Sequence, residues 1–300
     1  MSRKILYIIN PIAGTRTKTG LQKLVEEETQ RRNIPFRIFS SVASGDYTFL
    51  KPIIAEEKFT DIVIAGGDGT ISQVVSNFLS EKINFGILPC GSGNGLALAA
   101  GIPKNHKKTL RIIFEGQPVL VDAFKINNRF ACMLCGLGFD AKVAHDFAEQ
   151  PKRGLTTYIK QVLKNFHSAK TYSFRIHVNK NTVTTPAYFI SIANSNQFGN
   201  NFTIAPKASL TDGLLDVVVV AAPGKISMIL QTLKQVAGWN KMQSNTSFRE
   251  KTGVIYFQTK KLKIENIEEA PLHIDGDPAE TIQNLSIEIL PAAFSLYLPG

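Results

Sequence analysis

The chain is 300 residues long, 44% apolar and 19% charged, which suits one large or two ordinary globular domains with a proper core. No apolar run approaches the ~18 residues of a membrane span, and Met1-Ser2-Arg3-Lys4 opens no signal-peptide pattern, so a cytoplasmic protein is expected. Lys and Arg exceed Asp and Glu by ten; that excess suits a nucleotide, nucleic acid or acidic membrane surface, or simply a basic solvated exterior.

In chain order, Ile5–Ile9 reads as a first strand closed by Asn10-Pro11-Ile12-Ala13-Gly14. Leu21, Leu24, Val25 and Glu28 follow a helical period, and Phe36–Phe39 reads as a second strand. The run Asp61–Ala65 ends in Gly66-Gly67-Asp68-Gly69-Thr70, after which Ile71, Val74, Val75 and Phe78 restore the helical period. Phe85–Leu88 is a fourth strand, closed by Pro89-Cys90-Gly91-Ser92-Gly93-Asn94-Gly95. Strands alternating with helices predict a parallel sheet, and the three small-residue turns then share the edge where such sheets bind ligands.

Glycines let another group approach the backbone closely, and a helix N-terminus offers unpaired N–H groups. Gly66–Thr70 therefore reads as a phosphate cradle. Asp68 is a misfit there unless a cation such as Mg²⁺ lies between. The plainer alternative is a tight turn with Asp68 or Thr70 as helix N-cap. The chain holds no G-x-x-x-x-G-K-[ST] loop. A loose G-x-G-x-x-A match, Gly136 to Ala141, lacks a βαβ continuation.

After residue ~125 strand-like pieces dominate: Phe130–Leu134, Tyr172–Val178, Pro186–Asn194, Leu214–Val220, Val254–Gln258, Leu262–Glu265, Leu272–Ile274 and Leu285–Leu290. Two helices interrupt them, one carrying Leu155, Tyr158, Ile159, Val162, Leu163 and Phe166, the other Ile226, Ile229, Leu230, Leu233 and Val236. An antiparallel β domain with helical insertions is expected. Cys132-Met-Leu-Cys135 has redox or zinc spacing but no second ligand pair, and on a strand residues three apart face opposite sides. Buried structural thiols are the expectation.

Asn10-Pro-x-Ala-Gly14, Gly66-Gly-Asp-Gly-Thr70 and Pro89-x-Gly-Ser-Gly-Asn94, in that order, resemble the diacylglycerol kinase and sphingosine kinase superfamily. Gly136-Leu-Gly-Phe-Asp140-Ala, Asp212-Gly-Leu-Leu-Asp216 and Asp275-Gly-Asp277-Pro extend the resemblance over essentially the whole chain. It implies a Rossmann-like α/β domain of the NAD kinase and diacylglycerol kinase type, residues 1–125 with a segment from about 290–300 returning to it. A β-sandwich lipid-substrate domain with helical insertions would span residues 126–289. The implied activity is an ATP- and Mg²⁺-dependent lipid kinase acting on a lipid hydroxyl, such as that of diacylglycerol or a sphingoid base. It would work at the membrane surface as a peripheral protein, possess no nucleic-acid partner, and form a homodimer.

The resemblance places Asn10, Ser41, Gly66, Gly67, Asp68, Gly69, Thr70, Gly91, Ser92 and Asn94 at the nucleotide, with Asp68 beside Mg²⁺. Asp122 falls in an Asp–water–Mg²⁺ network, and Asp212 with Ser209 and Leu214 at a second, structural Mg²⁺. Asp277 takes the place of the general base toward the lipid hydroxyl, where most relatives have glutamate. Asp140 would face the lipid headgroup, or merely cap the helix that follows; Arg153, with Lys152, would sit against the phosphates, or be a solvated pair. The helix from Leu155 to Phe166 with Lys160 and Lys164 would cover the lipid site or touch anionic lipid, or pack on its own sheet. The alternatives to a lipid kinase are an NAD kinase-like enzyme on the same scaffold, and a silent binding protein left by loss of the base.

Overall fold

The computed structural model describes residues 3–13, 19–150, 155–197, 203–221, 224–236, 239, 242 and 253–300. The chain divides into two compact units, one running up to Val121 and including Ala292–Gly300, the other Asp122–Pro291.

In the first unit β1 (Ile5–Ile9), α1 (Thr19–Gln30), β2 (Phe36–Ser40), α2 (Leu50–Glu57), β3 (Asp61–Gly66), α3 (Asp68–Asn77), β4 (Asn84–Pro89), α4 (Gly95–Ala99) and α5 (His106–Glu115) alternate. The strands lie parallel in the order β2-β1-β3-β4. β1 and β3 are buried along their whole length, as near-continuous runs of branched apolar residues in a parallel sheet must be. Ile5, Tyr7 and Ile9 of β1 join Leu21 and Val25 of α1 and Leu110 and Ile113 of α5 in one core cluster. Their neighbours Leu6 and Ile8 point to the opposite face and are buried there.

The second unit follows β5 (Pro118–Ile126), which leads into it. It comprises β6 (Arg129–Ala131), β7 (Leu134–Gly138), α6 (Phe139–Ala148), α7 (Leu155–Ser168), β8 (Tyr172–Val178), β9 (Asn181–Ala187), β10 (Phe189–Ala193), β11 (Leu215–Val220), α8 (Lys225–Val236), β12 (Val254–Thr259), β13 (Lys261–Asn266), β14 (Leu272–Ile274), β15 (Asp277–Ala279) and most of β16 (Asn284–Tyr297). One antiparallel sheet runs β12-β11-β10-β7-β14-β15, and a second set runs β16-β13-β8-β9 with β5 beside β16. Ile190, Val217, Phe257 and Leu272 from the first sheet meet Phe174, Ile264 and Ile287 from the second in one core cluster. That shared core makes a β-sandwich, with α7 and α8 as the two expected helical insertions and α6 as a third.

Two expectations change in the second unit. The strand expected over Phe130–Leu134 breaks at Cys132-Met133, because the amides of Cys132, Met133 and Leu134 turn toward one carboxylate, that of Asp275. Cys132 and Cys135 therefore do not share a strand; both are nonetheless buried and outside any disulfide, and burial pushes the Cys135 thiol well up. The strand expected over Pro186–Asn194 is two, parted at Tyr188, whose carbonyl accepts from Phe139 N–H at 2.9 Å. The apolar stripe of α8, with Ile226, Ile229, Leu230 and Leu233, faces solvent.

β16 bends at Ala292, a left-handed residue at φ 50°. Beyond it the strand belongs to the first unit, where Ser295 and Leu296 pair in parallel with Asn84 and Phe85 of β4. Buried Tyr297 donates its hydroxyl to Asp61 Oδ1 at 2.5 Å. Arg3 Nε donates to Asp61 Oδ2 at 3.1 Å, and its guanidinium lies 4.8 Å from the Tyr297 ring centre. Tyr297→Phe leaves a buried carboxylate short of a donor and is expected to cost about 1–3 kcal/mol. In urea the midpoint should fall with the slope unchanged.

Candidate functional site

In the first unit the three small-residue turns meet at the C-terminal ends of β1, β3 and β4. Asn10 N–H donates to Ala65 O at 2.8 Å, and Cys90 N–H to Gly66 O at 2.9 Å, which carries the pairing of the strands into the turns. Asn10 Nδ2 donates to Thr70 Oγ1 at 2.8 Å, and Asn10 Oδ1 accepts from Ile12 N–H. Gly66 is required here, because a Cβ on it would lie 2.8 Å from Thr70 Cβ. Asn94, left-handed at φ 53°, clasps its own loop by accepting from Gly91 N–H at 2.8 Å and donating to Gly91 O at 2.7 Å.

The close approach is between the two glycine turns. A Cβ on Gly91 would lie 2.6 Å from Gly67 Cα. Gly67 is the extended N-cap of α3 and supplies no side-chain cap, so the first turn of that helix presents amides beside bare backbone. Thus the structure brings together Asn10, Gly66, Gly67, Gly69, Thr70, Gly91 and Asn94. Ser92 sits half-buried on the same loop as Gly91. Ser41 stands at the end of β2, its N–H donating to Ile9 O at 2.9 Å. Gly14, Lys152 and Arg153 lie outside the described residues.

Asp68 has partners that the sequence does not announce. Its Oδ2 accepts from Gly95 N–H at 2.9 Å and its Oδ1 from Leu96 N–H at 3.2 Å. The carboxylate thereby ties the start of α3 to the start of α4. A carboxylate has about four acceptor positions, so amide contacts and a cation are compatible on one side chain.

In the second unit the acidic residues separate into distinct roles. Ile274-Asp275-Gly276-Asp277 is a two-residue hairpin turn, with Asp275 at φ 50° and Gly276 at φ 84°. Asp-Gly is the pair that this turn favours, since both central residues need positive φ. Asp275 is buried and accepts from the amides of Met133 at 2.9 Å, Cys132 at 3.0 Å and Leu134 at 3.1 Å. Asp277, across the turn, is exposed.

Asp140 lies in the first turn of α6, where Gly138 holds the N-cap position, so it is not the capping residue; its Oδ1 accepts from the neighbouring Ala141 N–H. The residue is buried, with Oδ2 3.4 Å from His273 Nε2. Burial pushes its carboxyl up, and His273 opposes the shift. Gly136 makes room for this pair, for its Cβ would lie 2.0 Å from Asp140 Oδ2. His145, one α6 turn further on, lies within 2.7 Å of Leu272 O. Helix α6 therefore grips the hairpin that carries Asp277, an arrangement without a sequence motif of its own.

Asp122 is buried and its Oδ2 accepts from Gly213 N–H at 2.7 Å, which places it beside the Asp212 loop. Asp212 Oδ1 accepts from Leu214 N–H at 3.0 Å, and Ser209 Oγ from Thr211 N–H at 3.3 Å. Partial burial and the Asp122 carboxylate hold Asp212 above the usual range. Among the described residues no three acidic, His or Cys side chains gather as a metal cluster. A cation at this loop would thus depend on backbone oxygens beside Asp212.

Buried Asp216, just beyond, accepts from Tyr256 Oη at 2.5 Å and from Gln258 Nε2 at 3.0 Å. Burial nonetheless pushes its carboxyl from 3.8 up to about 6. The folded state favours the protonated acid, so its stabilising contribution is complete below the unfolded value of 3.8 and is lost as pH rises through about 6. A shift of this size corresponds to roughly 3 kcal/mol. Asp216→Asn is expected to raise Tm relative to the parent at pH 7.5, with the advantage vanishing by pH 4; paired thermal melts across that range measure it.

Comparison with known proteins agrees with this architecture. Residues 4–126 match the diacylglycerol kinase catalytic domain, and residues 134–298 match the YegS C-terminal NAD kinase beta sandwich-like domain. A protein of Shewanella frigidimarina named "Probable lipid kinase YegS-like" is 27% identical over 79% of this chain and 76% of its own length. A diacylglycerol kinase of Staphylococcus carnosus is 22% identical over 92% of this chain and 89% of its own. The crystal structure of a diacylglycerol kinase from Bacillus anthracis superposes with a TM-score of 0.74 at 20% identity, over 99% of this chain and 97% of that one, a likeness of fold.

A glycine-turn α/β unit joined to a β-sandwich of this type defines an enzyme of the lipid kinase class. The chain belongs to the diacylglycerol kinase family, in its YegS-like form. Among the described residues no helix is long and apolar enough to cross a membrane.

Proposed function

We propose that this lipid kinase uses ATP and Mg²⁺ to phosphorylate a hydroxyl of a lipid such as diacylglycerol or a sphingoid base. The observation that carries the reading is the approach of the Gly67 and Gly91 backbones at the start of α3, where a Cβ on Gly91 would collide with Gly67 Cα, so that this corner is built of bare backbone. Amides of Gly67 and Gly69 cradle the phosphates of ATP, with the positive end of α3 behind them and the Gly91 loop, whose own amide is held by Asn94, lining the site. Asn10 and Thr70 keep the β1 and β3 turns in register. Asp68 holds Mg²⁺, which when bound neutralises the phosphate oxygens as charge develops on them. Asp277 orients the lipid hydroxyl and accepts its proton while the oxygen attacks the terminal phosphorus. A phosphate monoester and ADP result. Aspartate is one methylene shorter than the glutamate of most relatives, so the acceptor must come correspondingly closer to the hairpin.

Purified protein incubated with labelled ATP and, separately, diacylglycerol, sphingosine, phosphatidylglycerol, undecaprenol and NAD tests this. Label in a lipid is the expected result. Transfer to NAD alone would overturn it, as would nucleotide binding without transfer to any acceptor.

A further inference from the structure

Helix α8 is turned inside out. Ile226, Ile229, Leu230 and Leu233 lie on one face of it and are 75%, 39%, 53% and 57% exposed. The polar side packs inward instead. Gln235 is buried and donates Nε2 to Ile204 O at 3.0 Å, while Gln231 and Thr232 are half-buried and Met228 is the buried apolar residue of that side. Trp239, the single tryptophan of the chain, follows at 74% exposure, its N–H donating to Lys234 O at 2.9 Å. A contiguous apolar stripe, followed along the chain by an exposed indole, is the kind of surface that a folded protein keeps exposed for a partner.

Charge selects the partner. Helix α8 carries Lys225 and Lys234 and no acidic residue. Lys225 Nζ donates to the His167 carbonyl at the end of α7, a helix that carries Lys160 and Lys164 and likewise no acid. Leu163 of α7 is also exposed. Two copies of α8 face to face would set lysine against lysine, and one helical stripe offers less than the roughly 800 Å² per partner of a stable protein interface. An anionic bilayer satisfies both halves of the pattern, with acyl chains receiving the stripe and headgroups the lysines.

We propose that α8, with Trp239 at its end, docks this enzyme on anionic lipid bilayers, lying in the interfacial plane with Ile226, Ile229, Leu230 and Leu233 inserted. The proposal rests on the lipid-kinase reading for the choice of a lipid partner, and its test needs no turnover.

Full-length protein is mixed with vesicles of phosphatidylcholine and phosphatidylglycerol, or of phosphatidylcholine alone, without nucleotide. Trp239 emission should shift to the blue and become protected from acrylamide with the anionic vesicles, and the protein should sediment with them. The variant Ile226→Ser/Ile229→Ser/Leu230→Ser/Leu233→Ser should partition at least about tenfold less, with an unchanged circular dichroism spectrum. Should it fail to fold, Leu230→Glu alone is expected to weaken partitioning several-fold. Unchanged partitioning of the variant would overturn the proposal. So would equal partitioning of the parent onto neutral vesicles, or a parent dimer that the variant dissolves with no vesicle binding in either. Transfer to a short-chain, water-soluble diacylglycerol without vesicles tests the kinase reading separately: its failure leaves the docking result standing, and failed docking leaves that transfer intact.

Discussion

Asp68→Asn is expected to lower phosphate transfer by about 100- to 1,000-fold, the usual cost of removing one preorganised electrostatic group from a transfer site. The substitution is informative because Asp68 has a second occupation. Its two oxygens accept from Gly95 and Leu96 amides, so the residue also caps α4. Asparagine retains one acceptor, and losing half of such a cap costs about 1 kcal/mol. The two roles therefore predict different pairs of numbers. If the carboxylate serves Mg²⁺, kcat collapses, the Mg²⁺ concentration needed for half-maximal rate rises, and Tm falls by only a few degrees. If it is a cap alone, Tm falls by the same few degrees and transfer stays within a few-fold of the parent; that outcome would remove Asp68 from the mechanism. Mg²⁺ titrations of labelled-phosphate transfer, run beside thermal melts of the same preparations, separate the cases.

The three small-residue turns were legible because their chemistry is local. Gly66–Thr70 follows a fully buried parallel strand, and only small residues leave backbone accessible there. What the sequence could not display was the partner of each acid. An aspartate at position 68 looks misplaced beside phosphates until the amides of residues 95 and 96 are seen to meet it. Asp140 reads as a cap, but Gly138 holds that position; Asp140 sits inside the first turn, and one of its oxygens lies against an imidazole 133 positions later, where Gly136 leaves space. Such pairings depend on β7 lying next to β14, which no local pattern specifies. The direction of α8 is the sharpest instance. Its period reports a striped helix, and a stripe has no sign; only the burial of Gln235 against Ile204 shows which side is inward. One of these features does have a local signal: Asp275-Gly276 between short apolar runs is a hairpin turn by composition alone.

That hairpin carries the other large expectation. Asp275 and Asp277 are neighbours in one motif, yet they should fail in different ways. Asp275 is buried and accepts three backbone amides that converge where β6 gives way to β7. Alanine at 275 leaves three donors without their acceptor, and asparagine turns an amide N–H toward one of them. Either change is expected to cost about 3–5 kcal/mol, the range for breaking a buried charged contact, or on the order of 10 °C in Tm for a protein of this size. Transfer should fall along with it, because the strand break and the turn that aims Asp277 are held by the same carboxylate. Asp277 is exposed on the far side of the turn, where Asn removes charge without vacating a buried socket. Asp277→Asn should therefore abolish transfer with Tm essentially unmoved, and Asp277→Glu should retain activity with an altered KM, since the longer acid reaches the hydroxyl from further away. Melts and single-turnover transfer on the four variants decide the matter. An Asp275→Ala protein that melts like the parent would mean that the three amides have found another acceptor, and the turn would then owe its shape to Asp-Gly geometry alone.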